Sequence, residues 1–132
     1  GEVSIASAYN GRIFNAQVVE NQPFTIIWDG QMFELDGWVI PANAPNKKAA
    51  MDYLRFSTTT QALADQAKYI SYGPARKSSA PLVTTHIETG VDMNPHMPTN
   101  PENFKTPIKK DAGFWADNGD DLKERFDAWL AQ

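Results

Sequence analysis

The sequence predicts an α/β fold in which short strands come first and packed helices follow. Three observations carry that expectation. Apolar residues in the first third alternate or cluster in short β-branched and aromatic runs. The middle third switches to helical spacing, with apolar residues recurring every three to four positions. The same helical period returns from Asp120.

Val3 to Ala8 reads as the first strand, ended by Asn10-Gly11, a pair that tolerates the positive φ of a tight turn. Phe24 to Trp28 reads as the second and Gln31 to Ile40 as the third, with only Asp29-Gly30 between them. An Asp-Gly pair between β-rich runs is a strong hairpin signal. Pro41 stops the third strand, because proline cannot donate to a sheet ladder.

Pro45-Asn46 marks a helix start, after which Ala49, Ala50, Tyr53 and Leu54 share a stripe opposite most of Lys47, Lys48, Asp52 and Arg55. Thr58, Thr59 and Thr60 interrupt this helix, and one of them can cap a second helix carrying Leu63, Ala67 and Ile70. Gly73-Pro74 is expected to end it. Pro74 to Pro107 holds six of the nine prolines and both histidines without a sustained period, so it reads as a long irregular excursion. Leu122, Phe126, Trp129 and Leu130 form the stripe of a terminal helix, with Asp121 and Glu124 as a capping-box-like pair at its start. Phe114 and Trp115 just before it suggest a helix docked on a body.

Composition narrows the function classes. A chain of 132 residues, 42% hydrophobic, has material for one core and should bury about two-thirds of its unfolded surface. Twelve Lys and Arg against sixteen Asp and Glu give a net charge of −4 with no basic stripe, which argues against a nucleic-acid partner. The absence of cysteine excludes disulfides, thiolate metal sites and cysteine nucleophiles. No apolar run approaches the roughly 18 to 20 residues of a membrane span. With neither a signal peptide nor an initiator methionine, Gly1 reads as a processed or trimmed end.

The third predicted strand has two unlike faces. Phe33, Leu35, Gly37 and Val39 point one way, and Met32, Glu34, Asp36 and Trp38 the other. Glu34 and Asp36 would then stand about 6.5 to 7 Å apart at Cα, on a rise of about 3.3 Å per residue. Acidic residues are depleted from strands, so the pair is either a solvated face or a ligand site. As a site, it can serve as acid and base on a glycoside, or it can neutralise a bound cation or amine. Catalytic carboxylates usually flank a substrate from different elements, which favours binding. Tyr9 stands at the mouth of the first strand, either as an aromatic plug or as a ligand contact. Tyr69 and Tyr72 lie at a helix end, where packing with a wet hydroxyl is the ordinary role. Arg12 and Arg76 each stand beside a glycine-containing turn, from which either can clamp a carboxylate bidentately. His86 and His96 have no metal-type partner at helical spacing and read as surface histidines. Neither a metal nor another cofactor is called for, and no nucleophile elbow, P-loop or dinucleotide turn occurs.

The run GEVSIASAYNGRIF, followed by DGQMFELDGWVIPANAPNK, AAMDYLRFSTTTQALADQ and YISYGPAR, resembles the extracellular solute-binding proteins of ABC importers, in particular the spermidine/putrescine-binding branch. Ile40 to Ala44, Asn46-Lys47 and Tyr72 to Arg76 stand where that branch has its "IPANA" strand end, helix start and "GYxxPN"-like turn. The resemblance runs from Gly1 to about Ala80, fades through the proline-rich segment and resumes at the terminal helix from Asp120. It implies a two-lobed periplasmic-binding-protein fold of type II, of which this chain is similar only to the C-terminal part. Residues 1–30 would end the second lobe and cross over, 31–80 would supply a strand and helix pair of the first lobe, 81–119 the irregular segment and 120–131 the terminal helix.

The resemblance further implies a non-enzymatic protein of the periplasm or cell exterior, with three partners: a small solute, a membrane permease and the remaining N-terminal part of the fold. Tyr9 falls where polyamine binders place a stacking tryptophan, Asp36 on the amine-binding aspartate and Tyr72 on a pocket tyrosine. Glu34 replaces a tryptophan, which removes an aromatic wall and adds a charge. A smaller amine or an amino-acid-like zwitterion is therefore expected, with Arg12 or Arg76 as the contact for any ligand carboxylate. Two rivals are a small hydrolase using Glu34 and Asp36, and a packing fragment with no ligand site.

Overall fold

A computed structural model describes residues 3–131; Gly1 and Glu2, the start of the first motif, and Gln132 lie outside the described residues. The opening segment is not a strand. Val3 and Ile5 are exposed and unpaired, and a strand without a ladder has nothing to satisfy its backbone. Asn10-Gly11 begins helix α1 (Asn10–Phe14) instead of a turn, and one π-type turn at Asn15–Val19 prolongs it. The amide of Asn10 donates to the Ser71 carbonyl, which anchors α1 to the chain beyond the second predicted helix.

The expected hairpin also differs. Asp29-Gly30 does turn, with Gly30 at φ 68° and the Gln31 N–H donating to the Trp28 carbonyl at 3.1 Å. The chain leaving this turn pairs elsewhere. Strand β1 is only Met32–Phe33, and it runs parallel to β2 (Ile108–Lys109) with Met32 opposite Ile108 and Phe33 opposite Lys109. Phe24 to Trp28 forms no strand, and Glu34 to Ile40 continue without a ladder, so strand alternation does not set Glu34 and Asp36 on one face as expected. Thr106 selects this pairing over the hairpin, accepting from the Gly30 N–H at 3.1 Å while its hydroxyl donates to Asp29 Oδ1 at 2.5 Å. The α/β class therefore holds with far less sheet than the alternation suggests.

The middle helices form as their spacing predicts. Helix α2 (Lys47–Ser57) half-buries Ala50 and Leu54 while Ala49 and Tyr53 of the expected stripe are exposed, and α3 (Thr60–Gln66) is capped by Thr59, whose hydroxyl accepts from the Ala62 N–H at 3.3 Å. Helix α3 stops well before Gly73-Pro74. The Lys68 and Tyr69 N–H groups bond the Asp65 and Gln66 carbonyls in tight turns, and the chain then bends so that Ser71 meets Asn10.

The core gathers Phe14, Ala67, Val83, Met93 and Met97, with Val18 packed against it. Val83, Met93 and Met97 come from the proline-rich excursion, which folds through 3-10 turns at Lys77–Leu82 and Asn94–His96. Asparagine side chains satisfy its irregular backbone: Asn94 donates to the Val83 carbonyl, and Asn103 to those of Pro95 and Met97. His86 is a core residue, 4% exposed, and not the surface histidine expected from sequence. Phe14 makes edge contacts with His86 and His96 at centroid distances of 5.3 and 5.0 Å.

The terminal helix α4 spans Ala112–Leu130, longer than the stretch expected from Asp120. Asp111 is its true cap, accepting from the Phe114 N–H at 3.0 Å, so Asp121 and Glu124 lie in mid-helix and not at its start. The expected docking is absent among the described residues. No side chain of α4 is buried, and Phe126 and Trp129 are exposed.

Candidate functional site

The parallel register of β1 and β2 dictates one close contact. With Phe33 opposite Lys109, the next residue of each strand, Glu34 and Lys110, project on the same side. The Lys110 N–H donates to the Phe33 carbonyl at 2.9 Å, and its Nζ reaches Glu34 Oε2 at 2.6 Å. The hydrogen bond with Glu34, and then the Glu34 charge, hold the Lys110 pKa above the usual lysine value. Desolvation opposes them, and Tyr9 and Asp36 add smaller favourable contributions.

Tyr9, Glu34 and Asp36 thus stand within electrostatic reach of one ammonium group. All of them are solvent-accessible, with Tyr9 60% exposed. Tyr9 is held by α1, whose first turn accepts the Arg12 N–H on the Tyr9 carbonyl at 3.0 Å. The Arg12 guanidinium lies 5.4 Å from the centre of the Tyr9 ring, a cation–π contact.

Tyr72 belongs to an adjoining cleft. This open cleft, of about 350 Å³, is lined by Gly11, Arg12, Phe14, Asn15, Tyr69, Ile70 and Tyr72. Glu34 and Asp36 are not in its wall, and Arg12 is the side chain common to the cleft and the Tyr9 face. Arg76 is directed elsewhere. Its Nε donates to the Thr58 carbonyl at the end of α2.

Lys110 is the residue that sequence reasoning misses. It lies 76 positions from Glu34, and no local motif announces the pairing of Ile108–Lys109 with Met32–Phe33. Among the described residues, no cluster of three or more His, Asp or Glu could hold a metal ion. None of their helices is long and apolar enough to cross a membrane.

Residues 1–99 match the family model described as bacterial extracellular solute-binding protein. Over all 132 residues the chain is 33% identical to the gamma-aminobutyric acid-binding protein of Pseudomonas aeruginosa, covering 36% of that protein's length. It is 27% identical over 101 residues to the spermidine/putrescine-binding periplasmic protein of Salmonella typhimurium, covering 75% of this chain and 29% of the relative. The Escherichia coli protein of the same description matches to the same extent, 27% over 101 residues. The chain spans about a third of the length of the curated relatives it matches.

Proposed function

From membership of the bacterial extracellular solute-binding proteins, to which this chain belongs, we propose that it contributes half of a binding site for a small amine-bearing solute in the capture component of an ABC importer. The observation that carries this reading is that Glu34 holds an ammonium group, that of Lys110, at 2.6 Å, with the charges of Tyr9 and Asp36 also acting on it. A face that accommodates one ammonium with carboxylates and an aromatic ring has the chemistry to receive another.

An amino-acid-like zwitterion such as 4-aminobutyrate suits the site best. Arg12 stands over the Tyr9 ring and opens on the cleft, where a bidentate guanidinium can take the ligand carboxylate. Tyr72 and Tyr69 would wall its methylene chain. The relatives that carry the names gamma-aminobutyric acid-binding and spermidine/putrescine-binding support an amine in this position.

The protein acts by capture and release and not by catalysis. Glu34 is tied to Lys110, which leaves a hydrolase without a free acid–base pair. Periplasmic relatives support export to the same compartment, with a membrane permease as the receiving partner. Leu35, Val39 and Trp129 are 78%, 85% and 63% exposed, which supports a further lobe covering these apolar faces.

Calorimetry on the full protein with 4-aminobutyrate, putrescine, spermidine and a neutral sugar tests the reading. Binding heat is expected with an amine and none with the sugar; no heat with any amine would overturn it.

A further inference from the structure

The two carboxylates of the candidate site are not equivalent. Glu34 is already paired with Lys110 at 2.6 Å. That pairing is imposed by the backbone, since the β1–β2 register and the Lys110 N–H bond to the Phe33 carbonyl fix the two residues side by side. Asp36, two positions further on, forms no ion pair among the described residues. The face therefore offers an incoming solute one uncommitted carboxylate and one resident cation.

A solute with a single ammonium can pair with Asp36. The second ammonium of a diamine finds Glu34 neutralised and meets the like charge of Lys110, and such repulsion is how binding sites reject near relatives of their ligand. The Arg12 guanidinium on the neighbouring ring adds a second positive group and favours a carboxylate over an ammonium at the far end. Resting on the solute-binding reading above, we propose that Lys110 is a specificity-determining residue, which by neutralising Glu34 makes the site select solutes with one ammonium group over diamines.

Calorimetry of the full protein with 4-aminobutyrate and putrescine, in the unmodified form and as Lys110→Met, decides it. The unmodified protein should bind 4-aminobutyrate at least tenfold more tightly than putrescine. Lys110→Met should move that ratio at least tenfold towards putrescine, and Lys110→Arg, which keeps the charge, should leave it in place. Adding Glu34→Gln to Lys110→Met removes the liberated carboxylate and should move the ratio back towards 4-aminobutyrate, short of the original value because the repelling Lys110 charge is also gone. Equal binding of the two amines by the unmodified protein overturns the proposal, whatever the variants do. An unchanged ratio in a folded Lys110→Met protein, or in Lys110→Gln should the first fail to fold, overturns it equally. A double variant that keeps the whole Lys110→Met shift towards putrescine would show that selection does not run through Glu34 and overturn the proposal. Absence of binding by either amine would instead remove the solute-binding reading itself.

Discussion

Gly11 lies directly beneath the ring of Tyr72: a Cβ at this position would stand 2.7 Å from Tyr72 Cε1 and 3.1 Å from Ile70 Cγ1. The glycine serves close approach of α1 to the segment after α3, and not the positive φ of a turn. Gly11→Ala is therefore expected to destabilise the protein by about 1 to 3 kcal/mol, at the lower end because the Tyr72 ring is 39% exposed and can yield. Urea unfolding checks this, and Gly11→Val should cost more, since its branches also meet Ile70. A Gly11→Ala midpoint equal to that of the unmodified protein would refute the packing.

Met93 is fully buried at 0% exposure although it comes from the proline-rich segment. Met93→Ala should cost about 2 to 5 kcal/mol, the range for a truncated core side chain left with a cavity. Met51, 39% exposed on α2, provides the contrast, and Met51→Ala should stay within about 0.5 kcal/mol. Similar urea midpoints for the two variants would show that the irregular segment does not hold the core.

These two positions also show what the sequence makes legible. Helices α2 and α3 follow from local information, because the stripe of Ala50 and Leu54 and the Thr59 cap act within a few residues. Sheet pairing does not. Asp29-Gly30 signals a turn correctly, yet Thr106 and Ile108, far along the chain, decide what pairs with the residues that follow it. The core was hidden for the same reason: Val83, Met93 and Met97 have no common period and are brought together by asparagine bonds to the backbone. At the site, Tyr9, Glu34 and Asp36 could be chosen from residue type and family resemblance. The Lys110 that pairs with Glu34 depends on the β1–β2 register, which no periodicity encodes.

Burial pushes the His96 pKa below the usual histidine value of 6.5, and the charge of Asp92 only partly offsets this. The folded state thus binds this proton less readily than the unfolded chain. Stability contributed by neutral His96 is complete above about pH 6.5 and is lost as the pH falls through the lower folded value. The urea midpoint of the unmodified protein should fall between pH 7 and pH 5 more steeply than that of His96→Gln. Parallel pH profiles for the two would show that the folded and unfolded states protonate this group alike.

The separate duties of Asp36 and Arg12 can be read from two solutes measured on two variants. If Asp36 pairs with the solute ammonium, Asp36→Asn removes a charge-assisted contact needed by every amine, so 4-aminobutyrate and putrescine should both weaken, by about tenfold or more. Arg12 faces the cleft from its place on the Tyr9 ring, and its partner would be the carboxylate that only 4-aminobutyrate carries. Arg12→Gln should therefore weaken 4-aminobutyrate by about tenfold and leave putrescine unchanged or slightly tighter, because a repelling cation is gone. The comparison also corrects for damage to the fold, since general disruption lowers both affinities together. Loss of putrescine binding in Arg12→Gln would mean that the arginine only supports Tyr9, and retention of both affinities in Asp36→Asn would place the ammonium elsewhere.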